Sequence, residues 1–217
     1  MEIKSLIVFI GICFFLILEF SFPKEKIYFK NKISRISKNI FFWLVNIGIT
    51  PIIILPISIF ATQIEIHSLF KFNNLVLSFL FHLVIVDLFL YWWHRFNHQI
   101  PFLWRFHHVH HLDETLDISS GVRFHFGEVI LSALVRSALI IAFNITLTNL
   151  LLIEAIILIS SIFHHSNINL PKNLENIFSK IIVTPSIHWV HHHKRQSETD
   201  ANYSTIFSWW DKIFRSK

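Results

Sequence analysis

Fifteen of the 217 residues are histidines, and thirteen of these fall in two stretches, seven between residues 94 and 125 and six between 164 and 193. His94-Arg-Phe-Asn-His98 has the i, i+4 spacing, His107-His-Val-His110-His111 the i, i+3, i+4 spacing, and His188-Trp-Val-His191-His192-His193 repeats the latter. On a helix such positions share a face. Neutral imidazole is the commonest metal ligand and accepts iron, zinc, copper and nickel. A weakly basic solvated surface would mix histidine with lysine and glutamate at no fixed spacing, so the clusters predict metal binding. The isolated His67 and His82 read instead as ordinary polar residues with a hydrogen-bond partner. One ion takes about four to six ligands, and about ten spaced histidines would crowd it. Two ions with roughly five imidazoles each leave open positions for dioxygen or water. Soluble di-iron bundles use Glu and Glu-x-x-His ligands. That pattern is lacking here, so the expectation is a histidine-dominated pair of irons, with zinc accepted as a substitute.

The elements that hold these residues are membrane helices. The chain is 53% hydrophobic and 15% charged, against about one quarter charged in soluble domains. Its single cysteine, Cys13, excludes a disulfide framework and a thiolate zinc site. A span needs about 20 apolar residues. Residues 5 to 22 form one; Glu19, Phe20 and Pro23 follow its apolar run where a signal peptide would have a small-residue cleavage site. Residues 40 to 60 form a second, with Pro51 and Pro56 expected to kink or divide it. Residues 75 to 93 form a third. The apolar stretch Val129 to Phe163 reads as a helical hairpin hinged at Asn144 to Asn149. Six bases between Lys24 and Lys38 face one acid, Glu25, which places that segment in the cytoplasm. The loop 61–73 carries one charge of each sign, and threading from there puts the histidine clusters on the same cytoplasmic side. The net charge of +5 lies in membrane-flanking loops, where anionic lipid explains it, and nucleic-acid binding is not expected.

Four charged residues stand out. Asp87 lies inside a span, where an ionisable group is expensive. Two turns before His94, it is expected to orient that imidazole through its other nitrogen, or to bond His82 or Tyr91. Glu128, three residues after His125, is expected to serve likewise, or to be a carboxylate at a helix start. Arg136 and Glu154, in the two halves of the hairpin, read as an ion pair. The aromatic tail 206–214 reads as an interfacial helix or a substrate lid, with Trp92, Trp93 and Trp104 in the same aromatic belt.

In order along the chain, His94-x-x-x-His98, His107-x-x-His110-His111, Arg123-Phe-His125, His165-Ser-Asn167, Thr184-Pro-Ser-Ile-His188-x-x-His191-His192, Asn202-Tyr203 and Trp210-Asp211-Lys-Ile-Phe214 resemble the fatty acid hydroxylase/sterol desaturase superfamily. The resemblance covers roughly Asp87 to Phe214. It implies an all-α integral membrane bundle of four to five transmembrane helices. Residues 1–73 would form N-terminal spans with the basic loop, and residues 74–217 a di-iron domain. The implied ligands are His94, His98, His107, His110, His111, His125, His165, His188, His191 and His192, with the choice between His164 and His165 left open. His108 and His193, like His164, are adjacent extras, pointing about 100° away from their neighbours on a helix. Ser204 stands where the superfamily's tail often has a glycine after Asn-Tyr. The implied activity is hydroxylation or desaturation of a long-chain lipid or sterol-like substrate with dioxygen. Without a Gly-rich dinucleotide fingerprint, electrons are expected from an external donor of cytochrome b5, ferredoxin or reductase type. The competing class, a membrane metal-ion transporter or metal-binding storage protein, would place its ligands near the bilayer midplane on broken helices.

Overall fold

The structure is a computed structural model and describes residues 2–26, 29–64, 66, 70, 72–113 and 115–217. His67 and both charges of the 61–73 loop, Glu65 and Lys71, lie outside the described residues. Helices run in the order α1 (Glu2–Ser21), α2 (Phe29–Ile49), α3 (Leu55–Gln63), α4 (Leu75–Gln99), α5 (Pro101–His111), α6 (Phe126–Phe143) and α7 (Leu147–His165). Four short helices follow: α8 (Lys172–Phe178), α9 (Pro185–His191), α10 (Gln196–Thr199) and α11 (Trp209–Ile213). A tight 3₁₀ turn, Ile118–Val122, lies between α5 and α6. The expected all-helical membrane bundle is what the chain forms.

Among the described residues, four helical runs are long and apolar enough to cross a membrane: Lys32–Gln63, Leu75–Gln99, Phe126–Phe143 and Leu147–His165, with the shorter apolar Leu6–Ser21 beside them. Pro51 does not divide the first run. The residues Thr50–Ile54 widen into a π turn, in which the Leu55 N–H reaches the Thr50 carbonyl five residues back. The wider turn accommodates a ring that lacks an N–H and would clash with the preceding turn of an α-helix. Pro56 sits in the first turn of α3, where a missing N–H costs little. The hairpin forms where expected: Asn144 closes α6 in the left-handed region (φ 48°), and the Thr146 hydroxyl caps α7 by accepting from the Asn149 N–H. Large apolar side chains stay exposed on the outer faces, among them Ile52 at 75% and Leu75 at 85%. Such exposure is costly in water and ordinary against acyl chains.

Polar contacts fix which helix ends lie together. Arg35, read from sequence as one of a run of lipid-facing bases, is an ion-pair partner of Asp113 (3.1 Å) and Asp117 after α5. Asn39 donates to Asp113 at 2.7 Å. At the opposite end the Asn144 side chain donates to the Ile66 carbonyl. The start of α2, the end of α4, the start of α6 and the end of α7 therefore meet at one end, and the histidines are there. Gly121 lets the 3₁₀ turn press on α7, since a Cβ would stand 2.9 Å from the Ser161 carbonyl oxygen.

The tail is neither a lid nor a free interfacial stripe. Asp87, fully buried in α4, accepts from the backbone N–H groups of Ile206 (3.0 Å) and Phe207 (3.1 Å) and from the Trp210 indole (2.8 Å). Asp211 accepts from the Tyr203 N–H (2.8 Å) and the Ser216 hydroxyl (2.8 Å), and Ser216 in turn meets the Tyr91 hydroxyl at 2.7 Å. The expectation that Asp87 orients His94, or bonds His82 or Tyr91, is corrected. Buried N–H groups of a returning, non-helical segment need acceptors, and Asp87 supplies them. His82 behaves as the sequence suggested, accepting from the Asn149 amide and bonding the Phe143 carbonyl.

Candidate metal centre and its cavity

Nine of the ten expected histidines come together in two groups, the ring nitrogens of each lying within 4.8 Å of one another. His94, His98, His107, His111 and His191 make one group; His110, His165, His188 and His192 make the other. The helical spacing deals the residues alternately. From α5, His107 and His111 enter the first group and His110 the second, while at α9 His191 parts from His188 and His192. The groups are adjacent, with the His110 and His111 rings 5.5 Å apart.

The hydrogen bonds decide which nitrogen of each ring is free. The Nδ1 of His94, His110, His165 and His191 meets the carbonyl of Tyr203 (2.8 Å), Arg123 (3.1 Å), Ser161 (2.7 Å) and Ala201 (2.6 Å) respectively. His107 Nδ1 meets Glu128 Oε1 at 2.9 Å. A carbonyl or carboxylate only accepts, so Nδ1 of each of these rings carries the proton and Nε2 presents its lone pair inward. His165 Nε2 nevertheless lies 2.9 Å from His110 Nε2. Two lone pairs at that distance repel unless a cation lies between them. Nitrogens bound at right angles to one ion at about 2.1 Å would be about 3.0 Å apart. The 2.9 Å His188–His165 and 3.2 Å His111–His107 and His192–His188 separations have that span. Nε2 of His94 and of His191 is buried with no partner at all. The donor set fits a pair of first-row divalent ions.

Burial reinforces this. The imidazoles of His110, His111, His188, His191 and His192 are pushed well below the usual histidine value, first by loss of solvent and then by neighbouring histidines. They are neutral at pH 7, the state a ligand needs.

A cavity of about 400 Å³ opens from the His94, His107 and His165 side and descends between the spans, past Trp93 and Ile157 to Arg136 and Glu154. On the other side of the histidines lies a basin of about 660 Å³, lined by His98, His111, His192, Trp104 and Asp200. The centre is thus reached from two sides, one mostly apolar and within the bundle.

The other expected residues are placed as follows. His125 joins neither group: its Nδ1 accepts from the Gly127 N–H and caps α6, and its ring lies among Phe42, Phe106 and Phe126. Glu128 meets a cluster imidazole, but that of His107 rather than His125. His108 and His193 are exposed, whereas His164 is buried with its ring 4.1 Å from that of His188 and its Nδ1 unpartnered. Arg136 and Glu154 form the expected pair at 3.4 Å. Asn97, which donates to Glu128 at 3.2 Å, was not singled out by sequence. It lies three residues after His94 in a helix, a place where many polar residues simply face water. The carbonyls that hold four imidazoles leave no trace in residue type.

Among known proteins, the fatty acid hydroxylase family model matches residues 79–216. The alkylglycerol monooxygenase of Homo sapiens is 32% identical over 131 residues, 59% of this chain and 28% of that protein. The ornithine lipid hydroxylase OlsE of Rhizobium tropici is 31% identical over 132 residues, 60% of this chain and 39% of that protein. The chain therefore matches less than two fifths of either relative's length. No solved structure matches. The matched region holds both histidine groups, Glu128 and the tail that pins His94 and His191, and the chain belongs to the fatty acid hydroxylase family.

Proposed function

We propose that the chain is a multi-pass membrane oxygenase that hydroxylates, or desaturates, a long-chain lipid with dioxygen and electrons from an external donor. The observation that carries this reading is the inward set of proton-free Nε2 atoms at the head of a mostly apolar intramembrane cavity. In this reading the two histidine groups each hold one iron, His94, His98, His107, His111 and His191 on one side and His110, His165, His188 and His192 on the other, with His125 outside the set. When bound, the pair supplies dioxygen activation and oxidation of an unactivated C–H bond. In hydroxylation, one oxygen atom enters the lipid and the other leaves as water, at the expense of two electrons and two protons.

The protein's own residues do the rest. Four backbone carbonyls and Glu128 fix tautomer and ring direction, and Asn97 steadies Glu128. Glu128 is a positioning residue, and Asp87 holds the tail that carries two of the carbonyls. The cavity walls keep water from the reacting carbon, while the basin beside His98, His111 and His192 offers a soluble donor of cytochrome b5, ferredoxin or reductase type an approach to the imidazole edges. In this reading that face is cytoplasmic, which the excess of bases between Lys24 and Lys38 supports. The relatives' names specify an alkylglycerol and an ornithine lipid, which favours a polar-headed lipid substrate and hydroxylation over desaturation.

The test is metal analysis of the detergent-purified chain followed by turnover under ¹⁸O₂ with membrane lipid extract and a reductant. About two irons per chain, reductant-dependent dioxygen uptake and one labelled oxygen in a lipid are expected. Protein holding two irons that consumes no dioxygen with any membrane lipid extract would refute the reading.

A further inference from the structure

The two histidine groups are not held in the same way. In the five-histidine group the acceptors on Nδ1 of His94, His107 and His191 are the Tyr203 carbonyl, Glu128 and the Ala201 carbonyl, all within the stretch that the family model matches. In the four-histidine group, Nδ1 of His188 and of His192 is buried without a partner. Ring direction there rests on His110 and His165, whose Nδ1 atoms meet the carbonyls of Arg123 (3.1 Å) and Ser161 (2.7 Å). The Ser161 carbonyl belongs to α7, the regular helix that carries His165 itself, one turn earlier. The Arg123 carbonyl has no such support. Arg123 closes the 3₁₀ turn at φ −85°, ψ 78°, between that turn and α6, so no helical ladder fixes where its carbonyl points.

The buried Arg123 side chain fixes it instead. Its Nε donates to the Val109 carbonyl at 2.8 Å, beside His110, and its Nη1 donates to Asn39 Oδ1 at 3.0 Å. Asn39 has no solvent exposure and lies in α2, well before the matched stretch begins at residue 79. Its amide nitrogen donates to Asp113 Oδ2 at 2.7 Å and to Ser119 Oγ at 2.9 Å. One neutral amide thus joins a cation to an anion. An aspartate there could only accept, and would face the Asp113 carboxylate across 2.7 Å. Anchorage of α2 alone does not need this link, because Arg35, one turn earlier, already ties the helix to Asp113 and Asp117. The bond between Asn39 and Arg123 is the one that runs on, through one carbonyl, to an imidazole of the metal group.

We propose that Asn39 is a positioning residue for the four-histidine metal group: by holding the Arg123 guanidinium it fixes the carbonyl that orients His110. This rests on the two-ion reading of the site and not on the oxidation. The test challenges the full iron-loaded chain in detergent with a graded chelator and reads the irons retained per chain, beside a melting curve. In Asn39→Leu one of the two irons should leave at about tenfold lower chelator than in the wild type, the lower end of the range for lost supporting partners. The other iron should be retained as in the wild type. Arg123→Met should give the same loss, and the double variant Asn39→Leu, Arg123→Met should be no worse than Arg123→Met, because residues in one chain of contacts are not additive. Glu128→Leu acts on His107 in the other group, so combined with Asn39→Leu it should add its full effect. If Asn39→Leu does not fold, Arg123→Lys takes its place. It keeps the charge but gives up the fork that reaches Val109 and Asn39 together, and should lose the same iron. Both irons leaving together at a lowered Tm would make Asn39 an anchor of the bundle and overturn the proposal, as would unchanged retention of both. A wild type that holds fewer than two irons would overturn it together with the two-ion reading. A wild type that holds two irons, one of them weakened by Asn39→Leu, and yet oxidises no lipid would refute the oxygenase reading alone.

Discussion

Replacing Glu128 tests whether the centre depends on how its imidazoles are held. Glu128 Oε1 accepts from His107 Nδ1 at 2.9 Å and from the Asn97 amide at 3.2 Å, while its second oxygen is buried without a partner. In Glu128→Gln the amide oxygen can keep the bond to His107, but it becomes a neutral hydrogen bond, about half as strong as a charge-assisted one. A loss of about 1 kcal/mol follows, or about fivefold in metal affinity. Glu128→Leu removes the acceptor altogether, leaving a buried N–H unpaired and the ring free to turn. That places it in the range of about 10 to 100-fold seen when such supporting partners are lost. The assay is competition with a graded chelator on purified protein, alongside a melting curve. Asp87→Asn is the control: its three N–H donors belong to the tail, so it should lower Tm and release metal only together with the tail. Unchanged chelator resistance in both Glu128 variants, with Asp87→Asn losing metal at an unaltered Tm, would refute this division of roles.

Three further outcomes are expected. His110→Ala and His191→Ala should each lower iron content and abolish turnover, His108→Ala should do neither, and His125→Ala should cost about 1 kcal/mol as a lost helix cap while retaining iron, all read by metal analysis and melting. For the metal-free protein, burial holds His110, His111, His188, His191 and His192 below their unfolded value, so below about pH 6.5 the unfolded chain binds more protons and stability falls by up to about 1.4 kcal/mol per histidine per pH unit. Tm should therefore drop between pH 7.5 and 5.5; a flat profile would contradict it. Reporters fused after Asn39 and at the C-terminus should both read cytoplasmic, and disagreement between them would break the threading of the spans.

Much of this was legible because hydrophobic length and helical spacing are local properties. The hairpin hinge at Asn144 was marked by the polar run that interrupts an apolar stretch, and the gathering of the imidazoles of α5 and α9 on one face by the 3.6-residue period. What misled was chemistry decided by distant backbone. Asp87 shares a face with His94, yet the nearest needy donors came from a segment about 120 residues later in the chain. His125 has a ligand's residue type and a family box around it, but it opens a helix, where its ring nitrogen meets a nearby N–H. Pro51 signals a break by its own properties, and only a change in helix pitch within the run shows how the chain continues. Arg35 looked like a lipid-facing base because Asp113 and Asp117 lie beyond two further spans.

The carbonyls of Ala201 and Tyr203, set on either side of Asn202 at φ 56°, give the site an order of assembly. His94 is made 109 residues before the carbonyl that orients it, a delay of roughly 5 to 20 s at ordinary rates of synthesis. During that interval the imidazoles of α4 and α5 are already at the membrane face, but their rings are not yet fixed and His188, His191 and His192 have still to arrive. Ions captured then would meet a partial, pliable ligand set of low selectivity. On the two-ion reading, faithful loading would follow the docking of Ile206, Phe207 and Trp210 onto Asp87, which would make the tail a timing element as much as a structural one.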